Sequence, residues 1–379
     1  MINQSERLSI ENCIKAKAYN LGFCLCGITN SAVLKNFDIY KQWIDSGYHG
    51  VMSYLASTRH LTARQDPTLL APWVKSIVVF GWPYRLNRTT AQERSGQISG
   101  YVGEIDYHLL LPQKIQYLVD ELPQIAGQGI RAEIFCDNAP ILERDLAVRA
   151  GLGWIGRNSC LISPKFGSAI LLAELFLDLE LAPGPPFEKD LCGSCQRCLQ
   201  TCPTSCILPE RIVDADKCIS TLTIENKALI PTSAVNKVAN HLFGCDVCQT
   251  ICPWNHQIKA QSDSLAQMSE AEMIAELTLG KDEFRSQYAH SAIQRTKRRG
   301  WIRNLCAVLA NMNSLEAFDP LSRVFAEDKD PLCRITAAEA LVSLDQQRAG
   351  EILQKRLQNE TEVTVMAAIA QIIKENSPQ

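Results

Sequence analysis

The chain has 379 residues, 46% of them hydrophobic and 21% charged, a composition typical of two or three globular domains. Its 38 basic and 41 acidic side chains give a net charge of -3, which excludes a uniformly basic nucleic-acid binder but allows a local basic patch. No apolar run reaches the ~18 residues of a membrane span and the N-terminus has no signal-peptide pattern, so we expect a cytoplasmic protein. Disulfides are rare in that compartment, so the 16 cysteines indicate metal or redox chemistry.

Residues 1–182 have the pattern of an α/β domain. Apolar spacing predicts helices, and short apolar or β-branched runs predict strands. Asn138 is predicted to cap a helix with Pro140 in its first turn. The predicted helices cover residues 7–22, 107–122 and 138–150, and the predicted strands cover residues 76–82, 132–136 and 170–181. Prolines at 183, 185 and 186 then mark a linker.

Residues 137–168 are dense in polar residues and glycines. Asp137 follows a predicted strand, and strand ends in α/β sheets often bind ligands, although a turn or cap is the alternative role. Gly151, Gly153 and Gly156 form a G-x-G-x-x-G run, but it follows a helix, whereas a dinucleotide fingerprint follows a strand. We instead expect these glycines to let the backbone approach a large flat cofactor.

Residues 183–260 are predicted to form a ferredoxin-like module, because two cysteine runs lie there. The first run has the C-x2-C-x2-C-x3-C-P spacing of bacterial ferredoxins, and the second has the spacing C-x2-C-x3-C-P. Structural zinc favours two C-x2-C pairs, so this spacing indicates two 4Fe–4S clusters instead. The two runs contain Cys192, Cys195, Cys198 and Cys202, followed by Cys245, Cys248 and Cys252.

Two clusters need eight ligands, and the two runs supply seven. In ferredoxins the fourth cysteine of a run binds the other cluster. Cys252 is therefore predicted to complete the cluster of the first three cysteines, and Cys202 to join Cys245 and Cys248. The eighth ligand is predicted to be Cys218, with Cys206 as its competitor.

Residues 284–379 have a helical pattern, with similar segments about thirty residues apart that suggest a HEAT-like solenoid, or alternatively a helical bundle. No acidic residue lies between Phe284 and Leu315, a stretch rich in basic residues. This run is either a solvated helix face or a surface that contacts phosphates. The basic residues predicted to contact tRNA are Arg295, Lys297, Arg298, Arg299 and Arg303.

Several of these segments together resemble the epoxyqueuosine reductase family: D-N-A-P-I-L-E-R from Asp137, G-L-G-W-I-G-R-N from Gly151, both cysteine runs, and C-I-S-T-L-T-I-E from Cys218. The resemblance implies a cobalamin-binding α/β domain, two 4Fe–4S clusters and a HEAT-like tRNA-binding domain. It also implies reduction of epoxyqueuosine to queuosine at the wobble position of the tRNAs for Asp, Asn, His and Tyr, the last step of queuosine biosynthesis. The partners would be that tRNA and an external electron donor, and the protein would be a monomer.

The resemblance also implies roles for individual residues. It makes Cys218 the eighth cluster ligand and Asp137 both the proton donor and a cofactor contact. The other implied cobalamin contacts are Arg59, Arg64, Asn158, Cys160, Ser168, Ser220 and Thr223. Two alternatives stay open at this point, a reductive dehalogenase-like corrinoid enzyme and a two-cluster electron-transfer module.

Overall fold

The structure, a computed structural model, describes residues 4–86, 94–103, 105–256 and 267–376. These residues form the following elements in chain order. The strands are β1 Leu25–Asn30, β2 Ser76–Pro83, β3 Ser95–Ile98, β4 Ala132–Phe135, β5 Trp154–Ile155, β6 Leu161–Ile162, β7 Ile170–Leu177, β8 His241–Phe243 and β9 Gln267–Ser269. The helices are α1 Gln4–Asn20, α2 Phe37–Asp45, α3 Thr58–Gln65, α4 Tyr107–Ala126, α5 Glu143–Arg149, α6 Arg197–Thr201, α7 Thr232–Val238, α8 Val247–Thr250, α9 Glu270–Glu276, α10 Lys281–Gln287, α11 Lys297–Asn311, α12 Phe318–Glu327, α13 Pro331–Leu344, α14 Gln346–Leu357 and α15 Val363–Glu375.

The chain divides into two compact units, each assembled from separate segments. The first unit contains residues 1–86, 103–216 and 246–262, and the second contains residues 87–102, 217–245 and 263–379. Residues 217–245 of the predicted ferredoxin-like module thus group with the C-terminal helices. The cause is long-range pairing, since β3 is parallel to β8 and antiparallel to β9.

The first unit is built on an antiparallel sheet with the strand order β1-β2-β7-β4. Alternate residues of β2 point to opposite faces. Val78 and Phe80 belong to a core with α1 and α4, whereas Ile77 and Val79 belong to a core with α5. Because both faces are covered, β2 is a continuous apolar run, which is why its sequence predicted a strand. The strand predicted over residues 132–136 is also present.

The helix predicted over residues 138–150 begins later, at Glu143. The Asn138 side chain accepts a hydrogen bond from Cys136 N–H at 3.1 Å and so holds a turn instead of capping the helix. Leu142 occupies the position before the first helical residue. The prediction failed because a polar residue followed by proline is equally typical of a turn and of a helix start.

The expectation that glycines 151–156 admit a cofactor stays a prediction, because contacts within the chain already require two of these glycines. A Cβ atom on Gly153 would lie 2.1 Å from the carbonyl oxygen of Ile162, and one on Gly156 would lie 2.4 Å from the Ile162 side chain. Both glycines are therefore required by the close approach of β5 to β6. The chain's own packing explains them.

The second unit contains helices α9 to α15 and a core in which Trp301, Phe318 and Leu341 are buried. The three helices α11, α13 and α15 contain the repeated segments predicted from the sequence. Helix α13 packs against α11, α12, α14 and α15. Among the described residues of the whole chain, none of the helices is both long and apolar enough to cross a bilayer.

Candidate functional site

Asp137 lies two residues after the end of β4, where the main chain adopts a φ of 53°, a conformation that is uncommon for residues other than glycine. The hydroxyl of Tyr107 donates a hydrogen bond to Asp137 Oδ2 at 2.8 Å, and His108 Nε2 lies 3.4 Å from the same oxygen. The Asp137 side chain is nevertheless 53% exposed. A carboxyl group held on one side and open on the other can exchange a proton with a bound molecule.

His108 links Asp137 to a second carboxylate. Its Nδ1 lies 2.6 Å from Asp106 Oδ1, and Asp106 also caps α4 by accepting a hydrogen bond from His108 N–H. Burial by itself would lower the pKa of His108, but hydrogen bonds to Asp106 and Asp137 raise it to about 9. His108 is therefore protonated at neutral pH and can donate a hydrogen bond to Asp137.

Two more carboxyl groups belong to the same corner of the first unit. Glu143, the first residue of α5, accepts a hydrogen bond from Asp137 N–H at 3.1 Å. Burial, together with the nearby charge of Asp137, raises the pKa of Glu143 to about 8. Glu174 on β7 is fully buried, and this burial raises its pKa well above the usual range of a carboxyl.

The two early arginines differ in their surroundings. Arg59 is exposed. Arg64 is half-buried, with its guanidinium 5.2 Å from the centre of the Tyr40 ring and 2.6 Å from His60 Nδ1. Burial lowers the pKa of Arg64, while the charges of Tyr40, Glu143 and Asp137 act against that change. Arg64 therefore lies within electrostatic reach of Asp137, and the cofactor contact of Arg59 stays a prediction.

Two of the residues predicted to contact cobalamin also hold the second cysteine run. Ser168 is buried, and its hydroxyl donates to Gln249 Oε1 at 2.9 Å. Asn158 is also buried, with its side-chain nitrogen 3.5 Å from the carbonyl oxygen of Cys248. These contacts engage both side chains inside the protein, and the predicted cobalamin contacts of Asn158 and Ser168 stay predictions. Cys160 keeps a partly exposed surface, and its contact stays a prediction.

Thr223 in the second unit is engaged inside the protein in a similar way, and its cobalamin contact stays a prediction. It is fully buried, and its hydroxyl donates to the carbonyl oxygen of Ile219 at 2.8 Å and accepts from Gly244 N–H at 2.9 Å. Its hydroxyl proton is thus used inside the protein, where it fixes the π-helical turn Thr221–Glu225. Ser220, directly before this turn, is partly exposed, and its cofactor contact stays a prediction.

Five cysteines of the first unit line a cavity of about 320 Å³: Cys192, Cys195, Cys198, Cys248 and Cys252. Trp154 Nε1 donates a hydrogen bond to Cys192 Sγ at 3.3 Å. The pKa of the Cys252 thiol is raised by burial and also by the charges of Cys192 and Cys195. Cys252 thus meets the first cysteine run in space, as the crossed spacing requires.

The donor set around this cavity fits an iron–sulfur cluster. Four thiols spread around a volume of this size can bind several metal atoms, whereas a structural zinc site gathers its ligands about one point. The assignment of the individual ligands stays a prediction.

The remaining cysteines concern the second predicted cluster. Cys206 is buried, with its Sγ 3.4 Å from Cys202 Sγ. This is a hydrogen-bonding distance for thiols, shorter than the separation of two thiolates that bind different irons of one cube. The contact therefore favours a role for Cys206 as a hydrogen-bonding neighbour of Cys202, and not as a second ligand of the same cluster. Cys218 and Cys245 are partly exposed residues of the second unit.

The basic residues at the start of α11 divide into exposed and engaged side chains. Arg295, Lys297 and Arg299 are exposed, although Arg295 Nε also donates to Glu225 at 2.5 Å. Arg298 is different, because its guanidinium donates to both carboxylate oxygens of Asp328, at 3.1 and 2.5 Å. Only 19% of the Arg298 side chain is exposed. Arg298 is therefore mainly a structural residue, which corrects its predicted role.

Arg303 does not fit the predicted phosphate contact either. Its side chain is fully buried and donates hydrogen bonds of 2.7 to 2.8 Å to the carbonyl oxygens of Leu222, Asn226 and Ala228. Burial lowers its pKa to about 10, so the guanidinium still carries its charge at neutral pH. The prediction that Arg303 grips tRNA is corrected: this residue holds the second unit together.

The sequence analysis missed four members of the Asp137 corner: Tyr107, His108, Glu143 and Glu174. One local signal was present, the triplet Asp106-Tyr107-His108 at the start of a predicted helix. Glu143 lies in the D-N-A-P-I-L-E-R segment but was given no role there. Glu174 gave no signal, because only the pairing of β4 with β7 brings it beside Phe135.

Three known protein families match segments of the chain. A family described as Epoxyqueuosine reductase QueG, DUF1730, matches residues 64–138. A 4Fe-4S double cluster binding domain matches residues 191–255, and HEAT repeats match residues 299–374. The predicted iron–sulfur module and the predicted HEAT-like helices are thereby confirmed, and the zinc and plain-bundle alternatives are set aside.

Individual relatives cover most of the chain. An epoxyqueuosine reductase from Cyclobacterium marinum is 37% identical over 295 residues, covering 77% of this chain and 94% of that protein. One from Pseudomonas aeruginosa is 34% identical over 311 residues, covering 79% of this chain and 85% of that protein.

Two solved epoxyqueuosine reductases also have the same fold. One, with an epoxyqueuosine-modified tRNA-Tyr stem loop, has a TM-score of 0.88, 26% identity and coverage of 98% and 100%. The other, from Bacillus subtilis with a catalytic aspartate loop swung out of the active site, has a TM-score of 0.85, 27% identity and coverage of 97% and 99%.

The double-cluster domain and the reductase relatives define an oxidoreductase that contains iron–sulfur clusters. More specifically, the chain belongs to the epoxyqueuosine reductase family, and it acts on epoxyqueuosine-modified tRNA in queuosine biosynthesis. The dehalogenase and electron-transfer alternatives are thereby set aside.

Proposed function

We propose that this enzyme reduces the epoxide of epoxyqueuosine at the wobble position of the tRNAs for Asp, Asn, His and Tyr, giving queuosine as the last step of its synthesis. The observation that carries the chemical part is the Asp137 carboxyl group, held by Tyr107 and His108 and open to a substrate. Opening the epoxide and losing its oxygen as water requires two electrons and two protons.

The proton source in this proposal is Asp137. His108 carries a proton at neutral pH and holds it 3.4 Å from Asp137 Oδ2, so a proton lost from Asp137 can be replaced within the site. Tyr107 fixes the same oxygen and so orients the carboxyl. The solved relative whose catalytic loop carries an aspartate supports an acid in such a loop.

The electrons require cofactors, and we propose cobalamin and two 4Fe–4S clusters. When bound, cobalamin supplies a strongly reducing metal centre at the substrate. The residues that fit a contact with it are the partly or fully exposed ones, Arg59, Arg64, Asp137, Cys160 and Ser220. An external donor would deliver electrons one at a time to the clusters, with the enzyme working as a monomer.

The cluster ligands are proposed in two sets. Cys192, Cys195, Cys198 and Cys252 would bind one cluster, supported by their shared cavity. The other cluster would be bound by Cys202, Cys218, Cys245 and Cys248. The short contact between Cys206 and Cys202 supports Cys218 over Cys206 as the eighth ligand.

We propose that tRNA contacts the exposed cations Arg295, Lys297 and Arg299 through its phosphates. The relative solved with a tRNA stem loop supports an RNA-binding role for a protein of this fold. Such contacts position the RNA without reading its sequence, which requires contacts to splayed loop bases.

The reaction is tested by expressing the protein in a strain that lacks its own epoxyqueuosine reductase and analysing the nucleosides of digested tRNA. Queuosine should replace epoxyqueuosine in all four tRNAs. Unchanged epoxyqueuosine, with the protein present and its clusters intact, would contradict the proposal.

The ligand assignment is tested by the iron content of variants. Cys218→Ala should lose about half of the iron, because one cluster then lacks a ligand, whereas Cys206→Ala should keep the iron content of the unchanged protein. The reverse result would make Cys206 the ligand. Cys160→Ala, a cysteine outside both sets, serves as the matched control.

A further inference from the structure

Glu174 is a carboxyl group in the middle of an apolar sheet. It lies on β7 in register with Val79 of β2 on one side and Phe135 of β4 on the other. It is fully buried, and neither of its side-chain oxygens has a hydrogen-bond partner among the residues that the structure describes. A charged carboxylate in such a place is destabilised by several kcal/mol, so the group keeps its proton. An apolar residue would satisfy the packing at least as well, so packing does not explain Glu174.

Glu143 contacts the main chain of Asp137 and acts electrostatically on Glu174. Its Oε1 accepts a hydrogen bond from Asp137 N–H at 3.1 Å, and the charges of Glu143 and Asp137 both raise the pKa of Glu174. The three carboxyl groups are thus electrostatically coupled, and they differ in exposure. Glu174 is fully buried, Glu143 is partly exposed and Asp137 is exposed. The series runs from the core of the first unit to its surface.

The surrounding charges do not remove this coupling. Arg144 on α5 and Arg64 on α3 lower the pKa of Glu143, but burial and Asp137 outweigh them, and the net value is about 8. His108 on α4 acts on Asp137, at 3.4 Å. Cys136, next to Asp137, stays a neutral thiol, because burial raises its pKa strongly. At neutral pH, Glu143 and Glu174 therefore hold protons in addition to the proton on His108, which replaces only the first proton that Asp137 loses.

The reaction stoichiometry needs such a reserve. Removing the epoxide oxygen breaks two C–O bonds, forms a C=C bond and consumes two electrons from the external reductant and two protons, which leave with the oxygen as water. Asp137 can donate one proton at a time. We propose that Glu143 and Glu174 store the second proton and pass it to Asp137, from which it reaches the departing oxygen. This inference rests on the proposed role of Asp137 as the proton donor.

The test is Glu143→Gln in the complete enzyme with both clusters and cobalamin. Glutamine keeps the size of the side chain and the acceptor for Asp137 N–H, but it has no proton to donate near pH 8. We expect kcat to fall about 10- to 100-fold, with KM for tRNA unchanged. This fall is at or below the lower end of the usual acid–base contribution, because Glu143 acts through Asp137. The fall of kcat in the unchanged enzyme as pH rises through about 8 should disappear in the variant.

Glu174→Gln should also lower kcat, but by a smaller factor than Glu143→Gln. The matched control is Glu133→Gln, an exposed residue on the same strand that leads to Asp137, and it should leave kcat and the pH profile unchanged. If Glu143→Gln keeps the kcat and pH profile of the unchanged enzyme while Asp137→Asn loses turnover, the proton store is wrong and the role of Asp137 stands. If Asp137→Asn also keeps normal turnover, the proposed donor itself is wrong.

A second measurement does not depend on turnover. The infrared C=O band of protonated carboxyl groups, identified by its shift in D2O, should be present near pH 6 in the unchanged protein. Each Glu→Gln variant should lose part of this band, and the part assigned to Glu143 should titrate with a midpoint near pH 8. Identical bands in the unchanged protein and both variants would show that these carboxyls hold no proton, which would overturn the inference.

Discussion

The two units use charged side chains in opposite ways. In the first unit, acidic groups converge on Asp137, and their burial and mutual repulsion keep protons on Glu143 and Glu174. In the second unit, basic groups that are adjacent in the sequence separate in the structure, because Arg303 turns into the core while Lys297 and Arg299 stay exposed. Like charges that converge in space indicate acid–base chemistry. Like charges that are adjacent along a helix identify only candidate binding residues.

Asp137→Asn gives the largest expected effect. Asparagine keeps the shape of the side chain but cannot donate a carboxyl proton, so turnover should fall about 10²- to 10⁴-fold. Iron content, cobalamin content and thermal stability should stay unchanged, because the side chain is 53% exposed and asparagine can still accept the hydrogen bond from Tyr107. The measurement is single-turnover reduction of epoxyqueuosine in tRNA.

A loss of cobalamin in Asp137→Asn would instead assign this residue to cofactor binding. Glu133→Gln is again the matched control, since it removes an exposed carboxylate from β4, four residues before Asp137 in the sequence. Near-normal turnover in Asp137→Asn would place the acid elsewhere, with His108 as the next group to test.

Arg303→Ala is expected to have the next largest effect, on stability instead of chemistry. The change leaves the carbonyl groups of Leu222, Asn226 and Ala228 buried without their donor. Each unsatisfied group costs about 1–3 kcal/mol, so the free energy of unfolding should fall by at least about 3 kcal/mol. Denaturation of the second unit, monitored by tryptophan fluorescence of buried Trp301, measures this.

The control for Arg303→Ala is Arg299→Ala, which removes an exposed guanidinium from the same helix. It should change stability by about 0.5 kcal/mol or less. If Arg303→Ala were as stable as the control and bound tRNA more weakly than the unchanged protein, the result would support the phosphate contact first predicted for Arg303.

Sequence patterns succeeded where the interaction is local. The spacing of Cys192, Cys195 and Cys198 places three thiols in one short loop, and the proline after Cys252 continued the same ferredoxin pattern, so the shared cavity could be predicted. Strand β2 could be predicted because burial on both faces makes it apolar throughout.

The rest depends on contacts between distant segments. Asp328 pairs with Arg298, and Glu225 pairs with Arg295, so the stretch without acids in the sequence has acids beside it in the structure. Glu174 reaches the Asp137 corner only through the register of β7 with β4. Tertiary pairing, which no local pattern encodes, decided both cases.

The smallest expected effect concerns the exposed cations of the second unit. Lys297→Ala combined with Arg299→Ala leaves Arg298 paired with Asp328, so stability should be unaffected. Each phosphate contact that is lost reduces the slope of log K against log salt by about 0.7–0.9, so the double variant should lose up to about 1.8 from that slope. All four tRNAs should weaken by a similar factor, about tenfold at moderate salt, because phosphate contacts carry no sequence information. Turnover at saturating tRNA should stay normal.

The measurement is a binding titration at several salt concentrations. The matched control is Lys355→Ala, which removes an exposed cation from α14. If the double variant and the control had the same slope, the run at the start of α11 would be a solvated helix face, and only the convergent carboxyls of the first unit would retain a functional interpretation.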